Sequence, residues 1–531
     1  MAGLDLLMSL ADVAFLAALL FIIRVYTGGN TVGSSFANYA ELIIQKPVML
    51  TGAFLVLYTF KNIAGVWILK CQHNYVFRVS SRLSEKNINN YFNGSYADYV
   101  HTDSSIRARH ISNVPIEFSS YVLTNLQQII AQGMLIIFTV SAILLYHPVL
   151  FVLLLLLLLP PVILLGWFSR GQLKKVRVQI KQSSAKALQY LHESLAGYVE
   201  GNVYHASGFF IKRYLQHQQQ LNQNIATQQT LQGSSSRFIE VFALLGFFIL
   251  VVINSYFSGR DTIDVLTIGV FMAAAYKIIP GAVRILNSVT QMKTYSFILD
   301  DLANEALPKE NVTTSGRSSG INNIRFDNIS FKFKDHNVVD NLSFGLQPGD
   351  IAGISGVSGR GKTTIINLLL GFLQQDSGLI FINNEISDIA YRKTYWQRIA
   401  YVKQQAFFIN DTILKNITLT EDGFDKARLD KALQISGLDV LLNTFPEGID
   451  KLIKEHGKNI SGGQRQRVAL ARALYHDHDL LILDEPFSEL DEDAEREILT
   501  RLGSDNTKGI MVLLITHNKA SLCFCNKIIL A

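Results

Sequence analysis

Apolar and polar residues are distributed in two different ways along this chain. In the first 300 residues the apolar positions gather into unbroken runs: Leu4 to Ile23, Val48 to Leu69, Val122 to Leu145, Val149 to Trp167, Phe238 to Phe257 and Val265 to Ile285. Each is close to the roughly 20 residues that a helix needs to cross a bilayer. Six membrane-spanning helices are therefore predicted, the sixth carrying Pro280 as a kink site. The first run begins at the chain start without a basic segment or a small-residue cleavage site, so it reads as a retained helix. Only Tyr146, His147 and Pro148 separate the third and fourth runs, which predicts a tight hairpin.

Between the spans, Lys174 to Tyr204 and Phe209 to Leu231 mix apolar and polar residues at helical spacing. They read as extensions of the membrane helices into water. Turn-rich patches interrupt the two long connections at Asn93 to Tyr99 and at Gly197 to Asn202. Each break allows a short sideways helix at the tip, a place for a second domain to dock. Beyond Asn304 the pattern changes. A polar Ser/Gly-rich stretch to Asn323 marks a boundary, Ile324 to Phe333 alternates as a strand, and short apolar strands then alternate with helices. The expected division is 1–303 transmembrane domain, 304–322 linker and 323–531 α/β domain.

Composition agrees with membrane residence. Hydrophobic residues make up 49% and charged residues 17%, against about 25% charged in soluble domains. Basic residues cluster between the second and third spans (Lys70, Arg78, Arg82, Lys86, Arg107, Arg109) and between the fourth and fifth (including Arg170, Lys174, Lys175 and Arg177). By the positive-inside rule both segments, the N-terminus and everything after the sixth span face the cytoplasm. A net charge of +5 fits loops facing anionic lipid rather than a nucleic-acid surface. Cys71, Cys523 and Cys525 form neither a disulfide framework nor a four-ligand metal site. The spacing of the last two suits one face of a strand.

The chemistry lies in the second half. Gly356, Val357, Ser358, Gly359, Arg360, Gly361, Lys362 and Thr363 form a phosphate-loop pattern, with a predicted strand before it and a helix from Thr364 after it. Such a loop wraps polyphosphate with backbone N–H groups and a helix dipole. Lys362 is expected on the β- and γ-phosphates and Thr363 on Mg²⁺. Leu480 to Leu483 is a buried strand that delivers Asp484, for Mg²⁺, and Glu485, to polarise the attacking water. Ile460-Ser461-Gly462-Gly463-Gln464 opens another helix and offers a second anion-binding terminus.

In the membrane half, Asp12, Lys61 and Lys277 each lie eight or nine residues from the cytoplasmic end of a span. At about 1.5 Å per residue they share a depth of roughly 12–14 Å. Two readings stay open: an inward-facing cluster in which Asp12 pairs with one lysine and leaves a cation for an acidic group on a substrate, or an ion pair serving helix packing alone.

With these motifs in order, the whole chain resembles a half-transporter of the ATP-binding-cassette (ABC) exporter type. The resemblance implies a type-1 exporter-like α-helical membrane domain fused to an α/β P-loop NTPase cassette. Asn459 to Gln464 looks like the family's signature loop, with Ile460 where Leu is usual. Gln404 matches the glutamine that senses Mg²⁺, Ser488 to Asp491 the dimer-contact loop, His517 the switch histidine, and Phe333 the aromatic residue that stacks on adenine. Glu455 and Gly457 match the loop that touches the coupling helices, with Lys454 where Gly is usual. The N-terminus lacks the elbow helix often found before the first span, and the chain ends in the strand after His517, as in a minimal or truncated cassette.

What the resemblance implies is a dimer that sandwiches ATP and Mg²⁺ between Gly356–Thr363 of one subunit and Ser461–Gln464 of the other. With Lys362, Asp484, Glu485, Ser461 and His517 all present, a homodimer is favoured over a heterodimer. The expected setting is a bacterial inner membrane, and the expected cargo a lipid, lipid-linked saccharide, peptide or other amphipathic molecule. The main alternative is a non-transporting member, an ATP-gated channel or sensor. Members of that sort often lack the catalytic Glu or His, and both are present here.

Overall fold

The computed structural model describes residues 2–26, 47–94, 96, 100, 102–146, 160, 175–176, 178–180, 182–257, 265–305, 320–333, 336–356, 361–454, 457–503 and 509–530. They form two compact units, residues 1–92 with 102–308 and residues 93–101 with 309–531.

The first unit is helical. Its long helices are α1 (Ala2–Tyr26), α2 (Pro47–Phe92), α3 (Thr124–Tyr146), α4 (Ser207–Phe257) and α5 (Val265–Thr294). Five of the six expected spans fall on these helices; the fourth, 149–167, lies outside the described residues apart from helical Pro160. α2 has 46 residues and α4 has 51. At about 1.5 Å per residue they run roughly 70 Å and 76 Å. Each is more than twice a ~30 Å hydrocarbon core, so each carries a membrane-length segment and an extension. Short helix Tyr198–Val203 lies between turns at Gly197 and at Tyr204–His205, as the turn-rich patch predicts.

Side-chain pairs fix how these helices meet. Along α1 and α2, Asp5 accepts from Gln72 Nε2 at 2.6 Å, and Phe15 packs edge-on against Phe54 and Tyr58. The falling partner numbers show an antiparallel pair. α3 and α5 are joined by Asn125 Nδ2 donating to Gln291 Oε1 (2.9 Å) and Ser288 Oγ donating to Gln128 Oε1 (3.1 Å). Polar side chains of this kind tie helices together where lipid supplies no hydrophobic drive. α5 stays helical through Pro280. Upstream of α3, π turns at Arg109–Asn113 and Ser119–Leu123 bracket Pro115, whose missing N–H interrupts regular α bonding.

The second unit carries two sheets. Strands β1 (Ile324–Phe333), β2 (His336–Leu346), β4 (Ser377–Ile382) and β5 (Glu385–Ile386) form an antiparallel sheet of order β2-β1-β4-β5. Strands β3 (Ile351–Ser355), β6 (Ile399–Val402), β9 (Leu480–Asp484), β10 (Met511–Ile515) and β11 (Lys527–Leu530) form a parallel sheet of order β11-β3-β10-β9-β6. A small pair, β7 (Asp411–Thr412) with β8 (Leu452–Ile453), completes the strands described.

The parallel sheet is apolar on both faces because both are covered. Leu480, Ile482, Met511, Leu513 and Ile515 enter one core with Phe326, Ile365 and Leu368. Leu481, Leu483, Val512 and Leu514 enter the other with Val468, Ala471 and Ile498. Each such leucine or isoleucine contributes about 1.5–3 kcal/mol by leaving water.

Two local expectations change. In β1 the strict alternation breaks at Asn328, which has φ 49°, so the buried set passes from Ile324 and Phe326 to Ile329 and Phe331. A bulge of this kind shifts parity by one residue. Cys523 and Cys525 do not share a strand face. Cys523 caps the short helix Lys519–Leu522, and Cys525 donates its N–H to Leu522 O at 3.1 Å in the next turn. Lys527 begins the strand only after them.

Candidate functional site

Strand order brings the separated motifs together. β3, β10, β9 and β6 are consecutive neighbours, and the register pairs Ile354 with Ile515, Ile515 with Asp484, and Leu483 with Val402. The residues that follow each strand therefore emerge in one row at the carboxyl edge, where ligands bind in open parallel sheets. From β3 come Gly356 and helix α6 (Lys362–Leu369); from β10, His517; from β9, Glu485; from β6, Gln404. Val357, Ser358, Gly359 and Arg360 lie outside the described residues, as does Glu455.

At the start of α6, Gly361 has φ 82°, and a Cβ there would stand 2.6 Å from Val338 O. Only glycine fits both conditions. Lys362 is buried and folds back to donate to Gly356 O at 2.8 Å. Thr363 is exposed and Thr364 buried on the core side.

The four charged or polar groups form a chain. Gln404 Nε2 donates to Glu485 Oε2 at 2.6 Å, and Glu485 Oε1 lies 2.9 Å from His517 Nε2. The same ring nitrogen lies 2.8 Å from Lys362 Nζ. One imidazole nitrogen cannot accept from an ammonium and donate to a carboxylate in one tautomer. The arrangement is thus poised between two pairings. Glu485 itself has φ 48°, a strained setting for this residue type, fixed by its N–H on Ile515 O at 3.0 Å.

Asp484 is 7% exposed, and Tyr401 Oη donates to its Oδ2 at 3.3 Å. Burial pushes the Asp484 carboxyl above its usual range, while the Tyr401 hydrogen bond and Lys362 pull it back. Burial, with the Asp484 charge, raises the Tyr401 phenol. Sequence reasoning misses Tyr401 as a site residue. Its signal is positional: it sits in β6 opposite Ile482, two residues before Asp484.

The second loop is a helix start. Ser461 caps α7 (Gly462–Tyr475), accepting from Gln464 N at 3.3 Å while Gln464 Oε1 accepts from Ser461 N at 2.9 Å. Gly462 and Gly463 occupy the first turn, whose N–H groups lack intrahelical partners. A Cβ on Gly462 would stand 1.5 Å from Glu489 Oε2. Glu489 pairs with Arg465 at 2.8 Å, and its N–H is held by Gln466 Oε1 at 3.0 Å. A cleft of about 350 Å³ has Gln404, Gln405, Arg465, Gln466, Pro486 and Glu489 in its wall.

Phe333 ends β1 as a residue 51% exposed, its ring edge-on to Phe331 at 4.9 Å. An exposed aromatic face on a buried aromatic support is a stacking platform. Tyr96, from the first turn-rich patch, belongs to this unit and stacks on Phe372 with ring centroids 4.5 Å apart. Phe372 in turn meets Trp396, whose Nε1 donates to Leu370 O just beyond α6.

The family model of the ABC transporter transmembrane region matches residues 4–276, over half of the chain, and that of the ABC transporter matches 339–488. The chain belongs to the ABC transporter family. Its membrane region and cassette are fused in one chain, the half-transporter layout. Among similar proteins is an ATP-dependent lipid A-core flippase of Burkholderia pseudomallei (strain 1710b), 29% identical over 353 residues, 64% of this chain and 58% of that one. A flippase of the same description from Photobacterium profundum is 32% identical over 314 residues, 56% of this chain and 53% of that one. The chain thus spans little more than half the length of these relatives. A solved bacterial Atm1-family ABC exporter with ATP bound superposes with TM-score 0.80 at 20% identity, covering 99% of this chain and 92% of that chain. At that identity the likeness is one of fold.

Proposed function

We propose that this ABC transporter is one half of a dimeric exporter or flippase that moves an amphipathic cargo across a membrane at the expense of ATP. The observation that carries the reading is the row Lys362, His517, Glu485 and Gln404 along one sheet edge, fused to a membrane region. In this reading Lys362 exchanges Gly356 O and His517 for the β- and γ-phosphates, which frees His517 to serve Glu485 and the γ-phosphate. Glu485, oriented by Gln404, polarises the attacking water. Phe333 stacks on the adenine, and the phosphate loop with Thr364 behind it holds the polyphosphate. Thr363, Gln404 and Asp484 offer the oxygen donors that Mg²⁺ takes, and a cation there offsets the cost of a buried Asp484 charge. When bound, the metal neutralises charge on the phosphates.

Ser461, Gly462, Gly463 and Gln464 serve the nucleotide held by the partner, so each site needs two subunits. Both subunits are taken as copies of this chain because every one of these residue types is in place. The basic loops support a cassette on the cytoplasmic side of a bacterial inner membrane. The test is Glu485→Gln in proteoliposomes. Trapped ATP with cargo movement abolished supports export; ion conductance gated by ATP binding and indifferent to the substitution favours a channel.

A further inference from the structure

We propose that Asp12, Lys61 and Lys277 form a binding site for the anionic headgroup of an amphiphile; this rests on the exporter reading and names its class of cargo. The three residues come from α1, α2 and α5, separated by up to 265 positions, yet both ammonium groups meet one carboxylate oxygen. Lys61 Nζ bonds Asp12 Oδ1, and Lys277 Nζ lies 3.3 Å from the same atom. Among the described residues no other carboxylate is recorded against either lysine. Two cations against one anion leave one positive charge in excess.

A pair built for helix packing needs one lysine. A second adds like-charge repulsion and the desolvation of another ion at membrane depth, where such residues are expensive and mark function. A bound oxyanion removes both costs. The cluster is not sealed: the side chains of Lys61, Asp12 and Lys277 are 11%, 20% and 27% exposed.

The neighbours argue for an amphiphile rather than a free ion. One turn from Asp12 on α1 lies Phe15, and one turn from Lys61 on α2 lies Tyr58, whose ring centroid is 5.6 Å from Lys61 Nζ. Phe15, Phe54 and Tyr58 pack together with centroids 5.6–5.9 Å apart. A cationic point is thus joined to an aromatic wall, which suits a charged head followed by an apolar chain.

The geometry fixes opposite signs for two substitutions. Removing a lysine removes a donor to the headgroup. Removing the Asp12 charge removes a competitor for both lysines. The test uses the full chain in neutral maltoside micelles without ATP, titrated with dodecyl phosphate, dodecylphosphocholine or inorganic phosphate. Saturable binding of dodecyl phosphate alone is expected. Lys61→Ala and Lys277→Ala should each weaken it about tenfold. Lys277→Arg should restore it, and Asp12→Asn should tighten it.

Equal weakening by Asp12→Asn and the lysine variants, as a packing pair requires, would overturn the proposal. So would binding of inorganic phosphate or the zwitterion as tight as that of dodecyl phosphate. The comparison of Lys277→Arg with Lys277→Ala, each checked by melting temperature, keeps the test decisive if one variant folds poorly. Because binding is read without nucleotide, it stands apart from the exporter reading. Retained binding with no transport sinks only that reading, and transport without dodecyl phosphate binding sinks only this site.

Discussion

Gly462→Ala separates the packing of this glycine inside its own subunit from the partner role proposed for it. The new Cβ would stand 1.5 Å from Glu489 Oε2, 2.5 Å from its Cδ and 2.9 Å from its Cβ. The carboxylate can swing away, at the loss of its ion pair with Arg465. That pair is partly exposed, so its loss costs about 0–1 kcal/mol. The contact with Glu489 Cβ is harder to relieve, because Gln466 pins the Glu489 backbone N–H. Overpacking of this sort costs about 1–3 kcal/mol. Replacing glycine at a helical position returns about 0.5–1 kcal/mol. The net expectation is about 2 kcal/mol, or a fall of roughly 4–8 °C in the melting temperature of a cassette this size.

Glu489→Gly on the Gly462→Ala background should recover about half of that loss, since the carboxylate and the Cβ are both gone. Thermal unfolding of wild type, both single variants and the double variant measures the coupling, expected at about 1–2 kcal/mol. On the proposed two-subunit site, ATP hydrolysis should be lost in Gly462→Ala and in the double variant alike, because the methyl group sits over first-turn N–H groups. A double variant no more stable than Gly462→Ala would refute the packing argument.

Other outcomes follow from the same geometry. Lys362→Ala should abolish ATP turnover, read as phosphate release, because it removes the ammonium held between Gly356 O and His517 in the proposed site. Gly361→Ala should lower stability by about 2 kcal/mol or more, since alanine at φ 82° is strained and its Cβ meets Val338 O; unchanged melting would contradict this. Tyr96→Ala should remove a stack worth about 0.5–1.5 kcal/mol, read as a lower melting temperature, whereas Tyr96→Phe should keep it. Tyr401→Phe should leave the fold intact and reduce ATP turnover by altering the charge balance at Asp484; equal turnover would show that the hydroxyl is dispensable.

The motifs were legible in sequence because each is local: a strand, a loop and a helix start carry their own residue signals. Which motif would stand beside which was not, because it depends on strand order. Gln404 and Glu485 are 81 positions apart and meet only because β6 lies beside β9. Tyr401 escaped notice for the same reason. The meeting of Asp12, Lys61 and Lys277 was legible through shared depth in the membrane, a rule that needs no knowledge of packing. Their convergence on a single oxygen was not, since that depends on how three helices rotate. Cys523 and Cys525 misled because a two-residue spacing fits a strand, while the local chain ends a short helix instead. Asn93 to Tyr99 stood out by its turn-rich composition; the ring that Tyr96 meets, Phe372, lies 276 positions away and gave no local signal.

The central claim is that each ATP is turned over between the phosphate loop of one copy and the signature loop of another. Mixing protomers tests it most directly. Subunits carrying Lys362→Ala are co-reconstituted in equal amounts with subunits carrying Ser461→Arg. Either parent alone forms dimers with both sites broken. In a mixed dimer one site carries both lesions and the other carries none. Equal mixing should therefore restore ATP turnover to about a quarter of wild type, from half of the dimers with one of two sites intact. Turnover no higher than the parents, or full turnover by a single isolated subunit, would contradict the account.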